Sequence, residues 1–462
     1  MKKIYFIIHL LIGSTVLSCS ELVEIDPPTD SLSGDHLFAD DASATSVLNG
    51  MYTQLVKAGF ASGSSASVTL LAGASADGFV ANGSSIASQD IAAFNENALH
   101  SEIQGVAGLW NSLYQQVFYA NTALEGLAAA DGLSSPVKRQ LQGEALFVRA
   151  FCYFYLVNLF GEVPLALTGD YRVNNALTRA SVAAVYAQLM ADLREAVELL
   201  PEGFAHTGGE RVRPNRAAAQ ALLARALLFT GDWPGAVEQA SAVIDRTDMY
   251  RLTPLDAVFL KNSEAAIWQL IPPNAYTNEG WSYIPAENSL PRYVTLSDGL
   301  LALFQPDDQR LAEWIGRSTY LDLEFYYPHK YKVWDNSMPQ DEYTMVLRLA
   351  EQYLIRAEAL ARQDQLAEAK ADMDALRGRA GLDGLPDGMG KEALLAEIEN
   401  ERFRELFGEW GHRWLDLKRT GRVDAVLSVV KPNWQSYQQL YPIPKVELDR
   451  NGNLNPNPNY EN

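Results

Sequence analysis

Cysteine is scarce in this chain, which has only Cys19 and Cys152 among its 462 residues. If Cys19 is modified, no intramolecular disulfide can form, so a buried apolar core must stabilise the fold. The six histidines are scattered along the chain. The motifs His-Glu-x-x-His, Gly-x-Ser-x-Gly and Gly-x-x-x-x-Gly-Lys are absent. The usual sequence signatures of zinc proteases, serine hydrolases and P-loop proteins are therefore missing.

Basic residues are also in deficit. The chain has 37 Lys and Arg against 57 Asp and Glu, and its formal net charge is −20. This balance argues against a nucleic-acid partner, because such binding depends on many contacts between Lys or Arg and phosphate. It equally argues against adhesion to an anionic membrane surface by charge. An acidic balance is typical of a protein that stays soluble outside the cell.

The N-terminal residues have the pattern of a secretory signal peptide, predicted over residues 1–18. Two lysines precede an apolar run that is shorter than the ~20 residues of a membrane-spanning helix. Cys19 comes directly after this run and resembles the lipobox cysteine of bacterial lipoproteins, whose acylated thiol anchors the protein to a membrane. The alternative is an ordinary signal peptide with an incidental cysteine. Residues 19–35, which include Pro27 and Pro28, are predicted to form a lipidated tether.

Helical periodicity dominates most of the chain after residue 35. Apolar side chains in residues 136–160 recur at spacings of three and four, which predicts one helix with a buried face. Gly161 is a candidate C-cap, and Pro164 prevents continuation of the helix. Residues 181–200 and 392–419 predict further helices.

Two segments, 217–244 and 351–376, predict helical hairpins with a common pattern. Each places alanine eleven and fifteen residues after an arginine, Arg225 in the first and Arg356 in the second. The alanines are Ala236, Ala240, Ala367 and Ala371. Small residues at these positions let two helices approach closely, as they do in tetratricopeptide-type repeats.

Two long stretches, 59–97 and 272–339, show no helical period. Connections of this length in a compact domain are usually functional. The second contains four aromatic residues beside amide and charged side chains: Tyr276, Trp281, Tyr283 and Tyr293. Because an aromatic ring can cover the apolar face of a sugar while polar neighbours bind its hydroxyls, the stretch is a candidate site for a carbohydrate or a peptide. The alternative is that these rings pin the loop to the core.

The block 401–419 packs alternating charges against large apolar residues. One predicted helical stripe carries the apolar members: Phe403, Leu406, Phe407, Trp410, Trp414 and Leu417. We interpret this block as a core helix whose Arg and Glu residues pair with neighbouring segments, in preference to an active site.

At these residues the chain resembles the SusD/RagB family of outer-membrane nutrient-binding lipoproteins. The resemblance spans nearly the whole mature chain and depends on the order of several segments: 144–155, 159–165, 347–359, 377–382, 401–419 and 440–447. One departure is residues 455–460, Asn-Pro-Asn-Pro-Asn-Tyr, where the family often has a Gln-Asn-Pro-Gly-Tyr type of sequence.

The resemblance implies a mainly α fold, in which tetratricopeptide-like hairpins form an α-α superhelical scaffold and long irregular loops form the ligand face. It implies a single SusD-like domain over residues 36–462. Helical hairpins are expected in its N-terminal part (36–260), ligand loops in its middle (261–345), and the RagB/SusD part at its C-terminal end (346–462).

The implied function is capture of an oligosaccharide at the cell surface and its delivery to a SusC-type TonB-dependent transporter. The protein is expected in the outer membrane, held by the lipid on Cys19 and exposed at the surface. No catalysis, cofactor or metal is implied. Family ligand contacts lie in variable loops, so they transfer to this chain only by region: Asp77, Phe79, Asn82, Tyr276, Trp281, Tyr283 and Tyr293.

Three other functions stay open at this point. The same architecture can bind peptides or another small nutrient. The hairpins can form a scaffold that binds only protein. A surface glycosidase needs only two carboxylates at the right separation in space, which a sequence does not reveal.

Overall fold

The fold is given by a computed structural model, which describes residues 37–82 and 86–460. The predicted signal peptide (1–18), Cys19 and the tether (19–35) lie outside the described residues. The helices of the first half are α1 (Asp41–Lys57), α2 (Val68–Ser75), α3 (Ile86–Asn95), α4 (Gln104–Ala129), α5 (Ser135–Phe160), α6 (Tyr171–Asn174), α7 (Val182–Leu199), α8 (Arg216–Thr230) and α9 (Trp233–Ile244). Those of the second half are α10 (Asn278–Tyr283), α11 (Asp298–Leu301), α12 (Arg310–Trp314), α13 (Leu349–Arg362), α14 (Leu366–Arg379), α15 (Lys391–Leu406), α16 (His412–Arg419), α17 (Val423–Val430) and α18 (Lys445–Arg450).

Helix α5 forms the centre of the core and confirms the helix predicted over 136–160. It ends at Gly161, whose φ of 76° suits a residue without a side chain. Within the part of the chain that the structure describes, α5 is the one helix long and apolar enough to cross a membrane. Because 94% of its most apolar window is buried inside the protein, it is a core helix here. Its neighbours are α4 and α7.

The aromatic side chains of α5 explain this position. The Phe151 ring makes edge-to-face contacts with Trp268 and with Trp410, each at 5.3 Å between ring centroids. Tyr155 lies 5.7 Å from Trp410. Edge-to-face pairs of this kind add about 0.5–1.5 kcal/mol each beyond the burial of apolar area. Helix α5 therefore joins the middle and the C-terminal parts of the chain in one core.

The two predicted hairpins are present as α8–α9 and α13–α14, and α9 packs against α13. In the first hairpin the predicted alanines are buried, since Ala236 and Ala240 are both 0% exposed. In the second hairpin the prediction is wrong, because Ala367 and Ala371 are exposed. Helix α14 begins two residues later relative to its reference arginine than α9 does, so its buried positions move to Ala369, Met373 and Leu376.

Short antiparallel strand pairs connect the helical parts. The strands are β1 (Phe79–Ala81), β2 (Val163–Pro164), β3 (Arg179–Ala180), β4 (Ala266–Leu270), β5 (Val294–Leu296), β6 (Ile315–Tyr320), β7 (Leu323–Pro328) and β8 (Thr344–Arg348). Within the described residues they form two-stranded sheets that pair β1 with β5, β2 with β3, β4 with β8, and β6 with β7. The stretches 59–97 and 272–339 are therefore not free of secondary structure, which corrects the prediction. Helix α2 escaped notice because it is almost wholly buried and shows no polar face.

The prediction of one continuous helix through 392–419 is also wrong. Helix α15 ends at Leu406 and α16 begins at His412. Between them Gly408 and Gly411 adopt φ of 68° and Trp410 adopts φ of 44°. A helix cannot continue through left-handed residues, so the chain turns here although its apolar residues keep the spacing of a helix. All six members of the predicted stripe are nevertheless buried.

The charged residues of this block pair with neighbouring segments, as predicted. The Glu405 carboxylate, which is fully buried, lies 2.9 Å from Arg310 of α12, 2.6 Å from Arg348 of β8 and 2.5 Å from Arg379 of α14. The Glu409 carboxylate forms ion pairs with the Arg348 guanidinium at 2.8 Å and with the Lys330 ammonium at 2.5 Å. Burial opposes ionisation of Glu405, but the three guanidinium groups outweigh it and hold its pKa well below the usual range.

We expect Glu405→Gln to lower the free energy of unfolding by about 3–5 kcal/mol, because it leaves buried arginines without their shared counter-charge. Chemical denaturation at neutral pH measures this change. Glu392→Gln is the matched control, since Glu392 is exposed on the same helix. A loss from Glu405→Gln no larger than that of the control would contradict a central role for this carboxylate.

Candidate ligand-binding surface

The strand pair β1–β5 brings the two predicted ligand regions together. Phe79 lies opposite Leu296 and Ala81 opposite Val294. The pairing continues by one residue, because the Asn82 backbone N–H donates to the Tyr293 carbonyl oxygen at 2.7 Å. Residues 77–82 are thus next to the end of the aromatic segment, although about two hundred residues separate them in the sequence.

Trp281, Arg292 and Tyr293 form one cluster, which we call the aromatic patch. The Trp281 and Tyr293 ring centroids are 6.1 Å apart, and the Arg292 guanidinium carbon lies 4.0 Å from the centre of the Trp281 ring. The Arg292 Nε–H also donates to the Trp281 carbonyl oxygen at 3.2 Å. Trp281 is half-buried, while Tyr293 is 7% exposed. The indole therefore presents part of its surface to solvent beside a cationic hydrogen-bond donor.

Phe79 and Tyr283 lie in the core instead. They are 5% and 2% exposed, and their ring centroids are 6.0 Å apart. The Tyr283 hydroxyl has no hydrogen-bond partner within the described residues, and burial raises its pKa well above the ordinary value. The two rings therefore pack in the core behind the β1–β5 strand pair. Direct ligand contact by either one stays a prediction that would require the loop to move.

Tyr276 and Asn82 are both partly exposed, but within the described part of the chain Tyr276 makes no ring contact with the aromatic patch. Asp77 is used internally. Its carboxylate pairs with Arg413 of α16 through two contacts of 2.8 Å, and its carbonyl oxygen accepts from the Ser297 hydroxyl at 2.7 Å. Asp77 therefore fastens β1 to the C-terminal part of the chain.

A cleft of about 360 Å³ borders β1. Its lining includes Asp77, Val80, Asn95, Lys431 and Asn433. Val80 alternates with the buried Phe79 and is 48% exposed, as expected for adjacent residues of one strand. Region 77–82 thus presents Val80 and the partly exposed Asn82 to solvent and keeps its acidic residue in an ion pair with Arg413.

Sequence reasoning missed the hairpin β6–β7, which packs beside β5. Its turn has Leu321 and Asp322 at φ of 49° and 63°, the left-handed pair that tight hairpins use. Leu321 and Leu323 are 77% and 62% exposed, and Tyr320 is 37% exposed. Alternating β-forming residues on both sides of the turn were the available signal. The hairpin adds an exposed apolar edge next to the strand pair of the candidate surface.

Glu279 lies in the first turn of α10, two residues before Trp281. Its side chain is buried, and the Thr344 hydroxyl donates to it at 3.1 Å. Burial raises the pKa of Glu279 to about 8, and the negative charges of Glu342 and Glu409 act in the same direction. The carboxyl therefore stays protonated between pH 4.5 and about pH 8, where ordinary glutamates are ionised.

Helix α10 is otherwise held by neutral hydrogen bonds to the loop that precedes α2. The Asn278 amide donates to the Ser62 carbonyl oxygen at 2.7 Å, and the Ser282 hydroxyl donates to that of Gly63 at 3.2 Å. A Cβ on Gly63 would lie 2.2 Å from the Glu279 carboxyl carbon, so only glycine fits against α10 here. These contacts fix the helix that carries Trp281.

Histidines contribute little reactive chemistry to this surface. His206, His329 and His412 all have their pKa lowered to about 4, with burial as the main cause, and they are packed in the structure. Across residues 37–82 and 86–460, no group of three or more His, Cys, Asp or Glu side chains is arranged to hold a metal ion. The arrangement at the aromatic patch is suited to binding by stacking and hydrogen bonds.

The chain matches two protein-family models. A SusD-like family model described as "Starch-binding associating with outer membrane" matches residues 32–228, and the model of the SusD family matches residues 324–460. The chain belongs to the SusD family. The family resemblance predicted from the motif segments is therefore confirmed.

Individual members of the SusD family resemble the chain over nearly its whole length. SusD-like protein P2 of Formosa agariphila is 27% identical over 98% of this chain and 98% of the relative. A solved laminarin-binding SusD-like protein is 24% identical with a TM-score of 0.78, covering 92% of this chain and all of that one. A SusD superfamily protein of Bacteroides vulgatus is 21% identical with a TM-score of 0.81, covering 91% and 99%. The predicted mainly α fold with tetratricopeptide-like hairpins is confirmed.

We expect Glu279→Gln to remove a pH dependence of stability. The raised pKa means that the folded protein holds a proton that the unfolded chain has released between pH 4.5 and about 8. Stability from the neutral carboxyl is thus present below pH 4.5 and is lost as pH rises through about 8. Glutamine stays neutral, so urea unfolding should show the variant equal to wild type below pH 4.5 and more stable above pH 8, by on the order of 5 kcal/mol.

The control for this prediction is Glu287→Gln, because Glu287 is exposed on the same segment. It should leave the pH profile of unfolding unchanged. A constant difference between Glu279→Gln and wild type from about pH 4 to about pH 9 would contradict a protonated Glu279.

Proposed function

We propose that this SusD-family protein captures an oligosaccharide at the aromatic patch and delivers it to a SusC-type TonB-dependent transporter. The observation that supports it best is the partly exposed side chain of Trp281, with the Arg292 guanidinium carbon 4.0 Å from the centre of its ring. A ring face of this kind covers the apolar face of a sugar, and a neighbouring cation donates to hydroxyl oxygens. The starch-binding description of the family model and the laminarin-binding structural relative favour the same ligand class.

The geometry suggests separate tasks for the residues of the patch. Trp281 provides the stacking surface, and the Tyr293 ring packs against it. Tyr293 directly precedes β5, and its carbonyl oxygen accepts from the Asn82 backbone N–H, which extends the pairing of β1 with β5. Arg292 lies over the indole, and its Nε–H donates to the Trp281 backbone carbonyl oxygen, so it fixes the ring and leaves its other donors available to a ligand. Asn82 offers an amide at the rim. The β6–β7 hairpin packs beside β5 and adds exposed apolar side chains next to this centre.

We further propose that binding is not followed by catalysis. The carboxyl closest to the patch in sequence, Glu279, is buried and neutral, and it accepts a hydrogen bond from the Thr344 hydroxyl. A retaining or inverting glycosidase needs two accessible carboxyl groups that flank the scissile bond. Incubation of the protein with the bound oligosaccharide, followed by chromatography of the products, tests this proposal; any turnover that scales with protein concentration would refute it.

We expect Trp281→Ala to weaken oligosaccharide binding by about 1–3 kcal/mol, because it removes the stacking surface, and to change thermal stability little. Affinity gels and calorimetry against a panel of glucans, including laminarin and starch, measure the effect. Trp233→Ala is the matched control, since Trp233 is also half-buried and also lies beside an arginine, Arg362, at 5.6 Å.

The panel also separates ligand classes. Peptides are titrated beside the glycans in the same calorimeter, because a SusD-like architecture can serve other nutrients. Binding of a peptide with no response to any glycan would contradict the carbohydrate proposal. Co-purification with a partner protein, with no response to any small ligand, would favour a scaffold.

Attachment to the outer membrane is proposed through an acyl chain on Cys19. We expect Cys19→Ala to abolish membrane retention and to leave oligosaccharide binding by the purified protein intact, since Cys19 precedes the domain that carries the patch. Fractionation and metabolic labelling with a fatty acid measure the first effect. Cys152→Ala controls for loss of a thiol, because Cys152 is fully buried in α5. Retention of Cys19→Ala in the membrane fraction would contradict the anchor.

A further inference from the structure

A second cleft of about 880 Å³ lies between α4, the segment 164–177 and the C-terminal helix α18. It shares no lining residue with the aromatic patch or with the cleft beside β1. Its volume is within the range of small-molecule sites, about 300–1,000 Å³. The two clefts therefore differ in position and in size, and the larger one has no role in the proposed function.

One wall of this cleft is an aromatic strip along α4. Trp110, Tyr114 and Phe118 follow one another at intervals of four residues, which places them on one helix face. The Trp110 and Tyr114 ring centroids are 4.8 Å apart, and Phe118 is 45% exposed. Trp110 is fixed from behind by Phe160, which meets it edge-to-face at 5.0 Å. Trp110 is 3% exposed and supports the strip from the core, so the partly exposed Tyr114 and the exposed Phe118 provide the ring surface of the cleft.

The remaining lining is rich in amides and carries no net charge. Six amide side chains line the cleft: Asn111, Gln115, Asn121, Asn174, Asn175 and Asn451. The two charged residues of the lining, Glu447 and Arg450, pair with each other at 3.1 Å. In a chain with a net charge of −20, a large cleft with a neutral lining favours an uncharged ligand.

Several of these polar groups lack partners within the described residues. The Asn174 Oδ1 atom is buried and accepts no hydrogen bond. The amides of Asn111 and Asn175 also make no side-chain hydrogen bond there, but both residues are exposed and their amides are open to solvent. Buried polar atoms in folded proteins are normally paired. The cleft thus combines one buried unpaired acceptor and two exposed amides with an aromatic wall, which is the combination that sugar hydroxyls and apolar sugar faces require.

We infer that this cleft is a second binding site for a neutral oligosaccharide, and this inference rests on the proposed function for the ligand class alone. An oligosaccharide long enough to reach both sites would be bound at both, so that its overall affinity exceeds its affinity for either site alone. A short oligosaccharide would occupy the two sites independently.

Gly108 offers a way to block the cleft without disturbing the fold. It lines the cleft on α4, and a Cβ added there meets no heavy atom within 4 Å. We expect Gly108→Leu to fill the space beside the aromatic strip, whereas Gly108→Ala leaves it open. Gly378→Leu is the matched control, because Gly378 lies on helix α14 and also has open space at its Cβ. Phe118→Ala removes the exposed ring of the strip as an independent test.

The probes are laminarihexaose and maltohexaose, titrated by calorimetry into wild type, Gly108→Leu, Phe118→Ala, Trp281→Ala and the controls. We expect two sites for a bound hexasaccharide in wild type. Gly108→Leu and Phe118→Ala should each weaken one site at least about tenfold, and Trp281→Ala should weaken the other. Gly108→Ala and Gly378→Leu should behave as wild type.

The outcomes separate the two sites. If Trp281→Ala abolishes all hexasaccharide binding and Gly108→Leu changes nothing, the cleft inference is wrong and the proposed function stands. If Gly108→Leu abolishes all binding and Trp281→Ala changes nothing, the cleft stands and the aromatic patch is wrong. No binding of either hexasaccharide to wild type overturns both. If Gly108→Leu leaves glycan binding intact but weakens association with an outer-membrane protein, the cleft is a protein interface and the inference is overturned.

Discussion

The buried ion-pair network around Glu405 is the constraint on which the rest of the structure depends. One carboxylate on α15 is shared by arginines from three separate segments, α12, β8 and α14. A second buried pair, Arg225 with Glu351, joins the two helical hairpins at 2.6 Å. Such pairs recover the cost of desolvation only when every partner is in place. The network therefore admits one arrangement of hairpins, strands and C-terminal helices.

This framework extends to the candidate ligand surface through a short chain of contacts. Glu409 lies just after α15 and binds Arg348 and Lys330, which fixes the turn that leads into α16. Helix α16 carries Arg413, whose guanidinium holds Asp77 in two contacts. Asp77 precedes β1, and β1 aligns β5 and thus the aromatic patch. The position of the patch is in this way set by ion pairs that are buried or mostly buried.

The sequence predicted the long helices well because amphipathic spacing and C-cap glycines are local signals, as at Gly161. The prediction failed where residues with the apolar spacing of a helix also include glycines that turn the chain. The apolar spacing of a helix continues through Gly408 and Gly411, but positive φ breaks the helix there. The prediction that Ala367 and Ala371 are buried was wrong because the turn of the second hairpin is longer than that of the first. At the site, the sequence identified the aromatic segment, yet it could not separate Trp281 at the surface from Tyr283 in the core, since that depends on pairing with β1.

The scaffold and the ligand surface are held by different forces, and the difference has a physical consequence. The scaffold is fixed by ions whose charge persists across neutral pH, as the lowered pKa values of Glu405 and Glu409 indicate. Helix α10, which carries Trp281, is fixed by neutral hydrogen bonds and a protonated Glu279. Neutral hydrogen bonds contribute about 1 kcal/mol each, less than bonds to charged groups. The loop that carries the aromatic patch can therefore rearrange around a ligand at a smaller free-energy cost than the framework behind it.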